Sequence, residues 1–282
     1  MFASLQKSPT ALNRRDIADL IITRIEPLVP QLKAAYQQSG PIGYFAVDDL
    51  LPAPIAQEIA KLFPQKDALT FKSTARERKY VSSQMNQHAP LIEEALFAFH
   101  DERLVKLCET ITGHTPLHAD PMLYAGGVSS MQQECFLNPH IDNSHDKQRA
   151  RWRSLNLLYY VSPDWQAFHG GNLELWPHGV KNAPITIPSL FNRLVVMSTH
   201  HHSLHSVSPV QVQAARNCIS NYYFSEKPMH PEQPFHVTAF RGRPEQPLRD
   251  MILRGDAALR MGLRKLKSGG FFKTGHWYEA SK

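Results

Sequence analysis

Asn192-Arg193-Leu194-Val195-Val196-Met197-Ser198, followed after a run of histidines by His205-Ser206-Val207-Ser208-Pro209-Val210, is the stretch on which the fold turns. Its two short apolar and β-branched runs, separated by polar residues and closed by proline, read as strands. The same rhythm extends in both directions. Leu117–Tyr124, Ser130–Leu137, Leu155–Val161, Asn172–Trp176 and Ile185–Ile187 precede it, and Asn217–Phe224 follows. Eight strands at this spacing predict a double-sheet roll or sandwich with a pocket between its sheets.

Upstream of Gly113 the period changes to that of helices. Leu20, Ile21, Ile25, Leu28, Leu32 and Ala35 recur at three- and four-residue steps between Leu12 and Gln38, and Pro27 and Pro30 kink or split that helix. A strand at Gly43–Val47 leads into a helix opening near Pro54, and two more helices span about Ala89–Phe99 and Glu102–Thr112. These helices are expected to cover one outer face of the roll. Downstream, five prolines stiffen Pro228–Pro247 into an irregular connector, and Leu248–Lys267 reads as a basic helix. The division expected is 1–112 as helical support with a leading strand, 113–227 as the roll, and 228–282 as connector and basic tail.

The 282 residues are 42 % hydrophobic and 20 % charged, which excludes a disordered or fibrous protein. No apolar run is long enough to span a bilayer, and Met1–Arg15 lacks the apolar stretch of a secretory signal, so a cytoplasmic location is expected. Cys108, Cys135 and Cys218 have no paired spacing, which fits a reducing compartment and leaves no thiolate zinc site. The formal charge is +6, and Arg241–Lys282 holds ten Lys/Arg against four Asp/Glu, so the whole excess sits in the tail. An acidic partner would meet the protein there.

Fifteen histidines are too many to be ligands by abundance, so position must choose among them. In His140-Ile141-Asp142 an imidazole and a carboxylate two residues apart on an extended strand point the same way and can share one metal. A second histidine, His205, lies 65 residues on, and Arg216 follows 11 residues later. Two histidines and one carboxylate are the facial triad of non-haem Fe(II) oxygenases, a mixed N/O set that leaves coordination positions open.

In this order the sequence resembles the Fe(II)/2-oxoglutarate dioxygenases of the prolyl-4-hydroxylase-like group, over roughly Tyr124–Phe224. Arg151–Val161 looks like that family's strand after the HxD loop, Gly170-Gly171-Asn172-Leu173-Glu174-Leu175 like its Gly-Gly turn, and Asn192–Met197 like the strand leading to the distal histidine. The resemblance implies an α+β protein built on a double-stranded β-helix, a cupin-like jelly roll, with an N-terminal helical layer and a basic C-terminal helical extension. It implies that His140, Asp142 and His205 are the catalytic Fe(II) ligands, with 2-oxoglutarate and O2 as cosubstrates and ascorbate as a candidate reductant. Arg216 would take the far carboxylate of 2-oxoglutarate, on a strand brought back beside His205 by a turn near Gln211; Tyr124 and Tyr159 sit where the family places hydroxyls against the same cosubstrate. Asp142, absent in halogenating relatives, favours hydroxylation of an unactivated C–H bond, with 2-oxoglutarate decarboxylated to succinate.

Other residues compete for these roles. His200, His201 and His202 read as a polar loop, since only His205 combines a Val-x-Pro-Val continuation with the right distance to an arginine. Arg153 and Arg193 read as salt-bridge or substrate groups, Asn143, His145 and Asp146 as the edge of the mouth, and Cys218 as a small buried residue. For substrate, the overall character is similar to that of the Kdo 3-hydroxylases, which makes a sugar acid of lipopolysaccharide one candidate beside peptidyl and free amino acids. The basic tail, with Met251, Ile252, Leu259, Leu263 and Leu266 among its cations, suits an interfacial helix on the anionic inner membrane surface or a helix packed on the chain itself. Nucleic acid is disfavoured, because the basic residues are not interleaved with an aromatic platform; Phe271, Phe272, Trp277 and Tyr278 are the residues one would need. A non-catalytic metal-binding roll and a cupin-type hydrolase or isomerase are the alternative classes.

Overall fold

The computed structural model describes residues 8–266 and 277–279. Helix α1 (Arg14–Ile25) begins at Asn13, whose side chain accepts from the Arg15 and Asp16 amides while Asp16 accepts from the Asn13 amide. The split expected at the prolines is present. A 3-10 turn at Glu26–Leu28 separates α1 from α2 (Val29–Gln38), because Pro27 and Pro30 lack amide hydrogens and are tolerated only in first turns. Next come α3 (Ala53–Leu62), α4 (Pro90–Phe97) and α5 (Glu102–Thr112), the last stopped by Gly113 in the left-handed region.

Among the described residues thirteen strands form one sheet that curls into a roll. One half runs β1 (Tyr44–Val47), β10 (Arg193–Ser198), β7 (Trp152–Tyr160), β12 (Arg216–Ser225) and β5 (Gly127–Met131), with β4 (Leu117–Ala119) beside β12. The other runs β3 (Glu77–Ser82), β6 (Phe136–Ile141), β11 (His205–Val207), β8 (Leu173–Leu175) and β9 (Ile185–Ile187), with β2 (Thr70–Ser73) on β3 and β13 (Ala239–Phe240) on β6. Strand β3 joins the halves by pairing with both β5 and β6.

Strand parity divides the core. Leu155, Leu157, Tyr159, Leu194, Val196, Ile219 and Tyr223 point outward and pack with Ile17, Ile59 and Ile92 of the helices. Residues of opposite parity, Tyr160, Val195, Met197 and Cys218, point into the roll.

Three expectations change. Ser130–Leu137 is not one strand: β5 ends at Met131, and a turn closed by the Cys135 amide on the Gln132 carbonyl precedes β6. The β2–β3 hairpin was not anticipated, because its inward face is charged rather than apolar. The proline-rich 228–247 segment is more than a connector, since β13 pairs with β6 and places Phe240 opposite His140. Helix α6 (Pro247–Leu266) follows, tied to this segment by Arg241 and Asp250 at 2.6 Å. No helix among the described residues is long and apolar enough to cross a membrane. Phe271 and Phe272, with Lys267, Lys273 and Lys282 of the tail, lie outside the described residues.

Candidate active site

His140, at the end of β6, is directly opposite His205 on β11, and their rings are 4.2 Å apart. Asp142 follows two residues later with the same orientation. One donor atom from each of the three lies within 4.8 Å of the others, and all three residues are buried. The imidazoles are held in one tautomer by the backbone. Nδ1–H of His140 donates to the Asn138 carbonyl at 3.0 Å and Nδ1–H of His205 to the Ser203 carbonyl at 2.8 Å, which turns both Nε2 lone pairs toward Asp142. These Nε2 atoms stand 3.6 and 3.8 Å from the Asp142 carboxylate. Phe240 stacks on His140 at 5.0 Å and fixes its plane.

Electrostatics keep the donors ready for a cation. Burial alone would push the Asp142 carboxyl up, but its surroundings, with the permanently charged Arg153 guanidinium beside it, hold it below the usual carboxylate range. Burial, helped by His140, pushes His205 down to about 4, so its nitrogen is neutral at physiological pH. Tyr222 donates to Asp142 Oδ2 at 3.1 Å, and Arg153 Nη1 lies 3.7 Å from the same oxygen. The Arg153 guanidinium is sandwiched over the Tyr222 ring, 4.0 Å from its centroid.

Arg216 opens β12 and is 3 % exposed. Its Nε donates to the Gly171 carbonyl at 3.2 Å, its Nη2 approaches the Met131 sulfur at 3.1 Å, and its plane lies over Tyr160. None of these partners is charged, and no carboxylate pairs with Arg216 among the described residues. A buried guanidinium without a counter-ion calls for an anion. The Gly170-Gly171 turn makes room for it: a Cβ on Gly171, where φ is +65°, would sit 3.2 Å from Arg216 Cγ, and one on Gly170 would strike the Pro209 carbonyl. Arg216, Tyr124 and the triad line one cavity of about 400 Å³, with Asn156, Tyr160 and Tyr222 on the same wall as Arg216.

Two expectations about this cavity are overturned. Arg216 is not on the strand beside His205: β11 pairs with β6 and β8, whereas β12 pairs with β7, β5 and β4, so the two residues come from opposite halves of the roll and meet only through the cavity. Tyr159 does not reach the cavity. Its parity sends it to the helical layer, where its hydroxyl donates to Asn192 Oδ1 at 2.9 Å, and Tyr160 takes the inward position instead. Tyr222, Phe240 and the hairpin lysines were missed. Tyr222 was within reach, since it shares parity with Arg216 along β12.

The remaining candidates are accounted for. Arg193 grips Asp48 through two nitrogens. His200 is buried with Nε2 on the Ile42 carbonyl, outside the triad. Asn143 lines the cavity and His145 stacks on Phe235. Burial pushes the Cys218 thiol up to about 11, so it stays protonated. Tyr278 donates to Glu93 and packs on Phe97 of α4, and Trp277 covers Lys147, so neither belongs to a stacking platform.

Fold and site together give a jelly roll whose cavity holds a His–Asp–His cluster able to bind a metal ion and a buried guanidinium with no paired carboxylate among the described residues. Residues 126–224 match the 2OG-Fe(II) oxygenase superfamily. The roll resembles a Trichoplax adhaerens prolyl hydroxylase solved with a hypoxia-inducible-factor peptide (19 % identity, TM-score 0.53, over 73 % of this chain and 92 % of that one). It also resembles a Pseudomonas putida prolyl-4-hydroxylase (17 %, 0.52, 68 % and 98 %) and a Phytophthora capsici prolyl 4-hydroxylase (18 %, 0.52, 94 % and 83 %). No curated protein matches the sequence. Residues 126–224 thus form a 2OG-Fe(II) oxygenase superfamily domain, the chain is a 2-oxoglutarate-dependent oxygenase with Fe(II) and 2-oxoglutarate as its cofactors, and the roll shares its fold with prolyl hydroxylases.

Proposed function

We propose that this oxygenase hydroxylates an unactivated C–H bond, with His140, Asp142 and His205 holding Fe(II) and Arg216 holding the far carboxylate of 2-oxoglutarate. The balance is one O2 and one 2-oxoglutarate consumed per C–H bond, giving the alcohol, succinate and CO2. The bound metal supplies O2 activation and the oxidising power for that bond. The protein's own part is positional. Asn138 and Ser203 lock the two imidazoles, Tyr222 and Arg153 hold the carboxylate, and the guanidinium of Arg216 offers a planar fork to a carboxylate it alone neutralises. Tyr124, on the cavity wall, is placed to contact the cosubstrate or the substrate.

The observation that carries the reading is the uncompensated Arg216 in the same cavity as the triad. A cupin-type hydrolase or isomerase has no use for it, and a non-catalytic roll has no use for three preorganised donors. Succinate release from 2-oxoglutarate, dependent on Fe(II), is the test: none across sugar acids, lipopolysaccharide fragments, amino acids and peptides overturns the proposal. The candidate substrates are those same classes, a sugar acid such as Kdo or a peptidyl or free amino acid.

Helix α6 supports a peripheral membrane role. Leu248, Met251, Ile252 and Leu259 are each about two-thirds exposed or more on one stripe, with Arg249 and Arg254 beside them. Such a stripe with flanking cations fits anionic lipid at the inner membrane surface of a cytoplasmic enzyme.

A further inference from the structure

We infer that the substrate carries an anionic group, a carboxylate or a phosphate monoester, that docks on the inner face of the β2–β3 hairpin. The inference rests on the oxygenase reading above and names the class of its second substrate.

The hairpin register places Lys72 directly opposite Lys79, and both line the cavity that holds the triad. Like charges at directly opposed positions weaken a two-stranded ladder. The pair is not default surface charge, because parity separates the two faces of the hairpin. The outer face carries Phe71 stacked on Tyr80, with Arg78 bound to Glu134. The inner face carries the lysines together with Glu77.

Glu77 compensates one of them. Its carboxylate is 2.8 Å from Lys79 Nζ, whereas no carboxylate pairs with Lys72 among the described residues. Burial, and then the charge of Lys79, pushes the Lys72 ammonium down, and the charge of Glu77 opposes this without reversing it. Beside them Arg76 and Arg260 both bind Asp256 of α6, at 2.5 and 2.9 Å, and both arginines also line the cavity. On the hairpin itself two cations, Lys72 and Lys79, therefore face one carboxylate, Glu77.

Arg216 cannot account for that excess, since it belongs to β12 on the opposite half of the roll and is assigned to 2-oxoglutarate. An anion set between Lys72 and Lys79 would turn their repulsion into two charge-assisted contacts. The cavity, about 400 Å³, suits a small anionic molecule or one acidic group of a larger one.

The test uses the full chain loaded with Mn(II) and 2-oxoglutarate, titrated calorimetrically with glucuronate, a hexose phosphate and neutral glucose. One of the two anions should bind at least about tenfold tighter than glucose, the size expected of a charge-assisted contact. Which one binds separates carboxylate from phosphate. Lys72→Gln and Lys79→Gln should each weaken that anion about fivefold or more, and Lys72→Arg should restore it. Binding of 2-oxoglutarate to each Mn(II)-loaded protein is measured first and reports that the variant is folded. Failure of the wild type to bind 2-oxoglutarate defeats the oxygenase reading. Normal 2-oxoglutarate binding with both anions no better than glucose defeats the present inference alone. A loss of 2-oxoglutarate affinity on changing Lys72 or Lys79, with anion binding intact, also overturns it by assigning the lysines to the cosubstrate.

Discussion

The hydroxyl of Tyr222 donates to Oδ2 of Asp142 at 3.1 Å, while the ring of the same tyrosine lies under the Arg153 guanidinium at 4.0 Å. One side chain therefore orients the carboxylate and seats the buried cation beside it. Tyr222→Phe keeps the ring and removes only the donor. Affinity for Mn(II) should fall about 10- to 100-fold with little change in thermal stability, the usual effect of losing a partner that orients a metal ligand. An unchanged metal affinity would show that Arg153 and the imidazoles suffice. Asp142→Ala is the harsher companion: turnover should vanish while the far-ultraviolet circular dichroism is kept, and full activity would refute the ligand assignment.

Arg216 is a buried cation that pairs with no carboxylate among the described residues, and the proposed function assigns it to 2-oxoglutarate. Arg216→Ala should raise the 2-oxoglutarate KM by about 100-fold or more, as for loss of a buried bidentate ion pair, with a smaller effect on the prime substrate. Arg216→Lys should recover part of this, because a point charge replaces the fork without its second bond. If the 2-oxoglutarate requirement is the same in all three proteins, the carboxylate partner lies elsewhere.

Gly171 ties the Gly-Gly turn to that guanidinium. Gly171→Ala forces a side chain into a φ of +65° and against the stem of Arg216, so the fold should lose on the order of 1 kcal/mol and 2-oxoglutarate binding should weaken with it. Thermal melts with and without the cosubstrate measure both effects. A variant as stable as the wild type and binding equally well would mean that the turn relaxes freely.

Much of this site could be read from the chain, for reasons that differ by residue. His140 and Asp142 were legible because strand parity alone puts them on one side, and the helices before Gly113 because their apolar period is regular. The neighbourhood of Arg216 was not, because local spacing suggests a hairpin with His205, whereas the roll sends β12 to the other half. Tyr159 and Tyr160 were exchanged for want of an absolute parity reference, which only the pairing of Tyr160 with Cys218 supplies. The β2–β3 hairpin escaped because a strand that faces a polar cavity lacks the apolar alternation by which strands are recognised.

The exposed stripe on α6 predicts lipid partition. The protein should co-sediment with vesicles rich in phosphatidylglycerol at low salt and not with phosphatidylcholine alone, and replacing Leu248, Ile252 and Leu259 together by serine should abolish the association. Equal recovery in the supernatant with both vesicle types would remove the membrane from the proposal.

Acid should loosen the helical layer through His100. This imidazole is on the last residue of the turn after α4 (Ala98–His100), with Nε2–H donating to Asn221 Oδ1 of β12 at 2.9 Å, and burial, aided by the charge of Arg14, pushes it down to about 4. An unfolded histidine titrates near 6.5, so the unfolded state binds the extra proton first. The stability contributed by the neutral ring is therefore complete above about pH 6.5 and is lost as the pH falls through 4, on the order of 3 kcal/mol in all. His100→Gln can keep the donor to Asn221 and cannot titrate. Urea denaturation at intervals from pH 7 to 4 should show the wild type losing stability more steeply than the variant, with the gap opening below about pH 6.5. Parallel curves would mean that the ring is protonated in the folded protein as easily as in the unfolded one.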